Sequence, residues 1–438
     1  MSDLRTRATR IVRRLREAGH EAYFAGGCVR DQLLGREPQD YDVATSAPPE
    51  AVRRLFPRTV PVGVQFGVVL VIEEGARFEV ATFRSDDAYV DGRRPSAVHF
   101  GTAEEDAWRR DFTVNAILLD PLSDAILDYV GGRDDLRAGV LRAIGDAEAR
   151  IAEDRLRMLR AVRFAARLGF TLEDATRRAI VRAAPSLGDI AAERIGDEIV
   201  KILTEGSARR GFELLHETGL LPVVLPEVAA MIGVAQPPDH HPEGDVWVHT
   251  LLLLDQLPAG AAETLALGAL LHDVGKPGCT AVRDGRLTFW GHQASGAEMS
   301  VAICKRLRRS RATWERVEYL VRSHLRLVQA PDMRVSTLKR MLAEEGFDEL
   351  LRLARLDALA SNADLRFVLF CQSRRAELAS EAIRPPRLLS GRDLIALGHV
   401  PGPRLGEILR ALEEAQLEEQ IRSRTDAVRF VRERFPPS

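Results

Sequence analysis

The chain has 438 residues, of which 45% are hydrophobic and 29% charged, and its formal net charge is −2. Disordered chains combine low hydrophobicity with high net charge, so this composition excludes a disordered protein. A net charge near zero also excludes a protein that binds nucleic acid by bulk positive charge alone. At roughly 100–200 residues per domain, the length predicts two to four domains.

The first 140 residues alternate between helix and strand patterns. Apolar spacing predicts a helix over Leu4–Ala18, a strand over Ala22–Ala25 and a helix over Cys28–Leu34. Further strands are predicted over Tyr41–Thr45, Val60–Ile72 (as paired strands), Arg77–Phe83 and Val114–Leu119. Because the regular strand–helix–strand rhythm of a doubly wound fold is missing, we expect a small α/β domain with a mixed or antiparallel sheet.

After residue 140 nearly every segment has helical periodicity, which predicts an all-α second part of the chain. The predicted helices include Arg150–Leu168, Thr171–Ala184, Ala191–Thr204, Ala208–Thr218 and Val248–Gln256. Prolines between residues 222 and 242, and again at Pro385 and Pro386, indicate irregular links.

The cysteines are scattered and form no paired motif, which is typical of reduced thiols rather than of disulfides or a zinc ribbon. The amino terminus lacks the apolar run of a signal peptide. The most apolar stretch, residues 60–72, is interrupted and is shorter than the roughly 20 residues of a membrane span. We therefore expect a soluble, cytoplasmic protein without membrane contact.

Residues 24–45 combine a glycine pair with an arginine and two aspartates. Gly26 and Gly27 follow a predicted strand and open a predicted helix, where backbone N–H groups can approach an anion. Arg30, one turn later, can add a charge-assisted contact to the same phosphates. The pair alone is also typical of an ordinary turn.

Three carboxylates strengthen the prediction that this part of the chain carries out phosphate chemistry. Asp40 and Asp42 alternate along a predicted strand, so their side chains are expected on one face. Carboxylates together with substrate phosphates suit Mg²⁺, and two such ions can activate an attacking hydroxyl and stabilise a leaving oxygen. Glu79, on a third predicted strand, either adds another carboxylate or is merely exposed.

Residues 26–31, Gly-Gly-Cys-Val-Arg-Asp, and residues 40–42, Asp-Tyr-Asp, resemble the catalytic head of class II tRNA nucleotidyltransferases and bacterial poly(A) polymerases. Residues 109–116, Arg-Arg-Asp-Phe-Thr-Val-Asn-Ala, are similar to the RRDFTxNA element of this family. Residues 128–136 are similar to a further element that links head to neck. The resemblance implies that Arg110, Asp111 and Asn115 recognise the sugar and phosphates of a nucleotide.

Residues 153–157, Glu-Asp-Arg-Leu-Arg, resemble the EDxxR element of the same family. If residues 150–168 form one helix, one face carries charged residues, with Asp154 at its border: Glu153, Arg157, Arg160 and Arg163. The resemblance implies that Asp154 and Arg157 read the Watson–Crick edges of CTP and ATP, with Asp accepting from the exocyclic amine of the base and Arg donating. Arg160 and Arg163 extend this nucleotide-binding face, for which the alternative is a solvated amphipathic helix.

The resemblance covers nearly the whole chain and implies four parts. They are a polymerase-β-like nucleotidyltransferase head (1–140), a nucleotide-selecting helical neck (141–205), a helical body (206–384) with an HD phosphohydrolase-like domain at about 245–360, and a helical tRNA-binding tail (385–438). In the implied reaction the 3′-hydroxyl of tRNA attacks the α-phosphate of CTP or ATP, and pyrophosphate leaves. Asp40 and Asp42 would bind two Mg²⁺, and Glu79 is a third catalytic candidate, while Gly27 and Arg30 would bind the nucleotide.

The family contains complete CCA-adding enzymes, separate CC-adding and A-adding enzymes, and poly(A) polymerases. Residues 84–100 resemble an intact flexible loop, which disfavours an enzyme that adds only CC. Residues 60–69 resemble the tRNA-specific enzymes rather than the poly(A) polymerases. CCA addition is the preferred hypothesis, and addition of A alone stays open.

The second half carries an ordered set of histidines and aspartates: His249, His272, Asp273, His292, His324 and Asp357. Residues 270–277, Leu-Leu-His-Asp-Val-Gly-Lys-Pro, resemble the signature of HD-domain phosphohydrolases. Such ligands can hold a divalent transition metal that activates water on a phosphate ester, and Asp273 could bridge two ions. The alternative function is therefore a metal phosphohydrolase, either a phosphatase or a cyclic phosphodiesterase, with a head that only binds RNA. A degenerate HD site also stays open, as does the oligomeric state.

Overall fold

The computed structural model describes residues 3–61, 67–86, 98–237, 244–361, 364–380 and 386–436. The chain divides into two compact units. The first comprises Met1–Ala230, Leu257–Gly260 and Arg306–Arg309, and the second comprises Met231–Gln256, Ala261–Lys305 and Ser310–Ser438. Within the described ranges, no helix is both long enough and apolar enough to cross a bilayer.

The first unit contains a mixed sheet and a set of short helices. Its helices are α1 (Leu4–Glu17), α2 (Gly27–Leu33), α3 (Pro49–Leu55), α4 (Ala103–Trp108), α5 (Gly132–Ala138), α6 (Ala147–Glu153), α7 (Arg157–Leu168), α8 (Asp174–Ala183), α9 (Ala192–Thr204), α10 (Ala208–Glu217), α11 (Leu221–Val224) and α12 (Pro226–Ala229). Its strands are β1 (Ala22–Ala25), β2 (Asp42–Thr45), β3 (Thr59–Val60), β4 (Val68–Glu73), β5 (Ala76–Thr82), β6 (Arg84–Asp86), β7 (Val98–Phe100), β8 (Leu118–Leu119), β9 (Ile126–Leu127), β10 (Val140–Leu141) and β11 (Thr171–Leu172).

The main sheet has seven strands in the order β3-β4-β5-β2-β1-β8-β9. Strand β2 runs parallel to β5, and the other neighbouring pairs are antiparallel, so the predicted mixed sheet is confirmed. Helix α1 buries Ile11, Val12 and Leu15 and begins at an Asp3 side chain that accepts from the Thr6 N–H. The strand predicted over Val114–Leu119 is mostly wrong, because Thr113–Asn115 forms a 3₁₀ turn and only Leu118–Leu119 pairs.

The single helix predicted over residues 150–168 is also wrong. Helix α6 ends at Glu153, and α7 starts at Arg157. Asp154 between them is extended, with φ −143° and ψ 101°, and its Oδ1 accepts from the Leu156 N–H at 3.1 Å. An aspartate that binds the backbone two residues ahead competes with helical hydrogen bonds, which explains the break. Asp154 therefore lies in a link between two helices rather than on a helical face.

Where the structure describes it, the second unit is helical apart from one hairpin and an isolated bridge between Ala235 and Asp245, as predicted for the later part of the chain except for these strands. The elements from residue 246 onward are α13 (Val246–Asp255), α14 (Glu263–Leu271), α15 (Lys276–Cys279), β12 (Ala281–Arg283), β13 (Arg286–Thr288), α16 (His292–Arg306), α17 (Arg311–Ser323), α18 (Val335–Leu342), α19 (Phe347–Ala360), α20 (Arg366–Ser380), α21 (Gly391–Ala396), α22 (Pro403–Leu417) and α23 (Arg424–Arg434). Helices α21 and α23 start with capping boxes at Ser390 and Ser423. The apolar faces of α21, α22 and α23 meet in a separate cluster that includes Leu394, Ile408 and Val431. The division into head, neck, body and tail stays a prediction.

Candidate active site and metal centre

A cavity of about 990 Å³ lies in the first unit. Its wall contains nearly all the site residues predicted for head and neck: Gly27, Arg30, Asp40, Asp42, Glu79, Arg110, Asp111, Asn115, Asp154, Arg157 and Arg160. Arg163 is not among the lining residues. The cavity therefore joins residues that are separated by up to about two fifths of the sequence, from Ala25 to Glu205.

Three carboxylates line one part of this cavity. Val43 of β2 lies opposite Val80 of the parallel strand β5. Asp42 and Glu79 each precede one of these valines, so they occupy neighbouring positions on the two strands. Asp40 precedes β2, so the predicted alternation along a strand is wrong for it, yet it lines the same cavity. Burial and, after it, the charges of Asp40 and Glu79 together raise the pKa of Asp42 to about 7, with Arg110 opposing them. Carboxylates that crowd each other in this way fit a divalent cation.

The glycine turn brings backbone close to these groups. Gly26 has φ +73°, a conformation that other residues rarely adopt. A Cβ at this position would lie 3.4 Å from Arg110 Nη1 and 3.7 Å from Asp42 Oδ2. Gly27 then begins α2, as the sequence predicted to within one residue. The turn thus leaves room for a ligand beside the carboxylate.

Arg30, predicted to contact phosphates, is buried and held on two sides. Its Nη1 donates to Asn115 Oδ1 at 2.6 Å, and its Nε donates to Asp31 Oδ1 at 2.9 Å. Its guanidinium carbon lies 5.4 Å from the centre of the Phe164 ring. These contacts fix Arg30 and orient Asn115 in the cavity wall.

Asp106 is a buried organiser of the arginine pair that the sequence reasoning missed. Its Oδ1 accepts from Arg109 Nη2 at 2.6 Å, and its Oδ2 accepts from Arg110 Nη2 at 2.9 Å. Burial alone would raise the pKa of Asp106, but the charges of Arg110 and Arg109 hold it below its ordinary value. Arg110 also donates through Nη1 to the backbone oxygen of Asn115 at 3.2 Å. A fixed carboxylate thus aims both arginines.

Asp111 is itself committed to protein partners. Its Oδ2 accepts from Arg160 Nε at 2.9 Å and Nη2 at 2.5 Å, while its Oδ1 accepts from Asn115 Nδ2 at 3.1 Å. Burial would raise the pKa of Asp111, but the charge and hydrogen bonds of Arg160 lower it. The geometry indicates that Asp111 positions Arg160 and Asn115, which line the cavity beside it.

The predicted base-reading pair has separate partners. Asp154 accepts from Arg194 Nη2 at 3.0 Å, and Arg194 on α9 was missed because its sequence context carries no motif. Arg157 donates through Nη1 to Glu153 Oε2 at 2.5 Å and to the backbone oxygen of Arg150 at 2.7 Å. Asp154 and Arg157 therefore each enter the cavity wall with a fixed orientation. Other lining residues that were not predicted include Asp31, Arg36, Arg84, Arg109, Phe164, Arg167 and Glu205.

Arg163 is a buried structural residue rather than a cavity residue. Its Nε donates to Glu198 Oε2 at 2.8 Å, and its Nη1 donates to Glu205 Oε2 at 2.9 Å. The side chains of Arg163 and Glu198 are 7% and 4% exposed. The contacts of Arg163 do not support its expected role in binding a nucleotide.

The second unit brings all six predicted HD residues together. Within the described residues, two groups of three offer ligand atoms within 4.8 Å of one another: His249, His272 and Asp357, and Asp273, His292 and His324. Asp273 Oδ2 lies 3.2 Å from His272 Nε2, and Asp273 Oδ1 lies 3.5 Å from His292 Nε2. Asp273 thus stands between the two groups, as expected for a bridging ligand.

The histidine rings are oriented for metal binding. The Nδ1 atoms of His272, His292 and His324 lie 2.7–2.8 Å from backbone carbonyl oxygens. A carbonyl only accepts, so each Nδ1 carries the proton and each Nε2 keeps its lone pair for a metal. Burial lowers the pKa of His324 to about 4 and also lowers the pKa of His292, although the charge of Asp273 raises both. The lowered pKa values keep these two rings neutral. Asp273 Oδ1 and His292 Nε2 are buried without a hydrogen-bond partner in the described part, which also fits a bound cation.

Lys276 is a further member of this centre to which the sequence reasoning gave no role. Its Nζ lies 2.6 Å from Asp273 Oδ2 and donates to Gln236 Oε1 at 2.5 Å. It also lies 5.4 Å from the centre of the Phe289 ring. The Lys276 charge, together with those of nearby histidines, holds the pKa of Asp273 well below its ordinary value although burial would raise it.

Two expectations from the sequence fall partly outside the described residues. The loop resemblance over 84–100 includes residues 87–97, and the resemblance over 60–69 includes residues 62–66. The ends of the first segment pair as β6 and β7, and β3 pairs with β4 beside the second. The paired strands predicted over 60–72 are thereby confirmed where the structure describes them.

Separate family models match the part of the chain that carries the head cavity and the part that carries the HD ligands. Residues 22–142 match the poly A polymerase head domain, residues 169–232 match the probable RNA and SrmB-binding site of polymerase A, and residues 245–362 match the HD domain. The fold and the sites thus define a protein that combines a poly A polymerase head domain with an HD domain. Enzymes of this kind generally use divalent metals.

The relatives identify the family more narrowly. The CCA-adding enzyme of Latilactobacillus sakei is 40% identical over 270 residues, which cover 60% of this chain and 68% of that enzyme. The chain therefore belongs to the family of CCA-adding enzymes. The CCA-adding enzyme of Geobacillus stearothermophilus is 49% identical over 211 residues, 48% of this chain and 52% of that enzyme. In such sequence matches the chain spans about half the length of the relatives.

The structural likeness extends over the whole chain. The crystal structure of Bacillus stearothermophilus CCA-adding enzyme in complex with CTP has a TM-score of 0.76 and 29% identity. The match covers 99% of this chain and 98% of that one. The fold predicted from the sequence, a polymerase-β-like head followed by helical parts, is thereby confirmed.

Proposed function

We propose that this chain is a template-independent tRNA nucleotidyltransferase that adds CCA to tRNA 3′ ends. It would use CTP and ATP, release pyrophosphate and work in the cytoplasm. The observation that carries the proposal is a single cavity lined both by the carboxylates Asp40, Asp42 and Glu79 and by Asp154 and Arg157. The likeness over the full chain to an enzyme whose structure holds CTP supports it.

Each part of the cavity has a task in this reaction. Asp40, Asp42 and Glu79 would hold Mg²⁺, which when bound activates a hydroxyl and neutralises charge on the phosphates. Arg110, aimed by Asp106, contributes positive charge next to Asp42. A group fixed in advance stabilises developing charge without reorganising, so the ion pairs of this wall favour catalysis.

Asp154 and Arg157 would select the base. The Asp154 carboxylate accepts from the exocyclic amine of cytosine or adenine, and the Arg157 guanidinium donates to a ring nitrogen or carbonyl. Their partners Arg194 and Glu153 fix both side chains, so choice of a nucleotide needs no nucleic-acid template. The protein surface replaces the pairing base.

Product sequencing tests this function. Two tRNA substrates, one ending at the discriminator base and one ending in CC, are incubated with CTP, ATP and Mg²⁺. Addition of CCA to the first and of A to the second is expected. Addition of A to the second alone would identify an A-adding enzyme, and no addition to either would refute the proposal.

The HD centre favours a second, independent activity. The centre offers two groups of three ligands, and Asp273 lies between them. Such ligands, with neutral histidines, suit a pair of divalent transition metals that activate water. We propose a phosphatase or cyclic phosphodiesterase acting on phosphate esters. Release of phosphate from nucleoside 3′-phosphates, or opening of 2′,3′-cyclic phosphates, in the presence of Mn²⁺, Co²⁺ or Ni²⁺ tests it, and activity that persists in His272→Ala would contradict it.

A further inference from the structure

A small exposed hairpin leads directly into the HD centre. Strands β12 and β13 pair antiparallel, and Asp284 and Gly285 connect them with φ of 51° and 72°. Two left-handed residues in a two-residue Asp-Gly turn match the twist of the flanking strands, so this short sequence fixes the register. The hairpin is followed by Phe289, Trp290 and the start of α16 at His292.

One face of this hairpin combines two arginines with an exposed indole. Arg283 and Arg286 lie directly opposite each other in the register. Arg283 Cζ lies 5.8 Å from the centre of the Trp290 ring, which places Trp290 on the same face. Neither arginine makes an ion pair within the described part of the chain, and Trp290 is 75% exposed.

This face is unfavourable without a ligand. Like charges directly opposite in an antiparallel pair destabilise it, and a largely exposed tryptophan keeps a large apolar surface in water. Arginine forks suit phosphate oxygens, and an indole face suits a stacked base. An unpaired nucleotide carries both a phosphate and a base, whereas an unmodified protein surface offers no phosphate for the arginine pair.

The hairpin is tied to the metal centre on both sides of Trp290. The backbone oxygen of Phe289 accepts from His292 Nδ1 at 2.8 Å and so orients that ring. The Phe289 ring lies against Lys276, which binds Asp273. Trp290 therefore lies in the short segment between Phe289, which orients His292, and His292 itself, so a base stacked on it would lie two residues along the chain from a ligand of the centre.

We propose that Arg283, Arg286 and Trp290 bind an unpaired nucleotide at the 3′ end of single-stranded RNA and present its terminal phosphate to the HD centre. This inference rests on the proposed second activity and specifies its substrate class. It separates RNA ends from small phosphate esters without a base, such as glycerol phosphate, which gain nothing from the indole.

Tryptophan fluorescence tests the binding without requiring hydrolysis. The full chain in EDTA is titrated with an adenylate trinucleotide that carries a 3′-phosphate. We expect a saturable quenching of emission that Trp290→Phe abolishes, because stacking on the indole is its source. Trp314→Phe is the matched control: Trp314 also carries a cation, Lys305 Nζ at 4.5 Å from its ring, but it lies on α17 and outside the proposed face. This variant should keep the quenching.

The arginines are tested in the same titration. Arg283→Gln with Arg286→Gln should raise the dissociation constant at least tenfold and reduce its dependence on salt, because phosphate contacts release counterions. Quenching that persists in Trp290→Phe, or no quenching in the unaltered chain, would overturn the proposal. If the unaltered chain shows the quenching but has no phosphatase or cyclic phosphodiesterase activity, the proposed second activity is refuted while the proposed nucleotide-binding face is supported.

Discussion

Arg194 Nη2 lies 3.0 Å from Asp154 Oδ2, across 40 residues of sequence. Both side chains are largely shielded from water, at 24% and 19% exposure. Asp154 occupies an extended link between α6 and α7, where no helical backbone fixes its position. The Arg194 guanidinium from α9 orients its side chain instead. The residue proposed to read the base is thus oriented by one that need not touch the nucleotide.

Arg194→Ala should weaken the choice of nucleotide. A hydrogen bond to a charged group contributes about 1.5–3 kcal/mol, so loss of this contact should lower the ratio of kcat/KM for CTP over UTP by roughly tenfold or more. Arg194→Lys should restore part of the ratio. The measurement is incorporation into tRNA ending at the discriminator base, with CTP, ATP or UTP as the single nucleotide.

Arg182→Ala is the matched control for that variant. Arg182 also forms an ion pair, with Glu148 at 2.9 Å, but both side chains are more than half exposed. Exposed pairs contribute roughly 0–1 kcal/mol, so its loss should leave both activity and selectivity unchanged. An unaltered CTP/UTP ratio in Arg194→Ala would count against a positioning role.

The local motifs of the head could be predicted from the sequence, and the reason is physical. Gly26 and Asp42 each lie in a short segment whose residue pattern indicates phosphate or metal binding, whereas the role of Arg110 followed from the resemblance of residues 109–116 to a family element. The fold then brings these segments to one cavity. The fold class followed from the same patterns of apolar spacing. The HD ligands were also found, because their order along the chain and the segment around His272 resemble HD-domain phosphohydrolases.

Side chains that act through distant partners could not be predicted. Asp106 and Arg194 have no motif of their own, and their role depends on which residue the fold places opposite them. The helix break at Asp154 was missed because periodicity counts apolar positions and ignores a side chain that bonds its own backbone. For Arg163 the same periodicity indicated a functional face, whereas the fold supplies two glutamates that neutralise it.

Arg163→Ala should act on stability rather than on nucleotide choice. Removal of Arg163 breaks a buried pair, which costs about 3–5 kcal/mol, and leaves Glu198 with Lys201 Nζ, at 3.2 Å, as its remaining cation. Urea unfolding of the first unit measures the loss, with Arg182→Ala as the exposed control. A stable Arg163→Ala protein with altered CTP/UTP selectivity would instead support the role in nucleotide binding expected from the sequence.

Asp111 should make the stability of the first unit depend on pH in acid. Its folded pKa lies below the ordinary 3.8, despite burial, because Arg160 binds the charged form. A lowered pKa contributes stability that is present above the unfolded value and is lost as the pH falls through the folded value. Asp111→Asn should therefore cost about 2 kcal/mol at neutral pH, and the difference from the unaltered chain should shrink below about pH 4. Denaturant unfolding between pH 3 and pH 7 checks this, and a constant difference throughout would contradict it.

Separate substitutions in the two units should separate the two proposed activities. Asp42→Ala removes a carboxylate of the head cavity, so incorporation into tRNA should be lost while release of phosphate at the HD centre persists. Asp273→Asn removes the charge between the two HD ligand groups, so it should do the reverse. Asparagine keeps the shape of the side chain, which matters because Lys276 contacts this position in the interior. Both activities are measured on the same preparations, with circular dichroism as the control for folding. Loss of both activities in either folded variant would refute two independent sites, because neither substituted residue lies in the other centre.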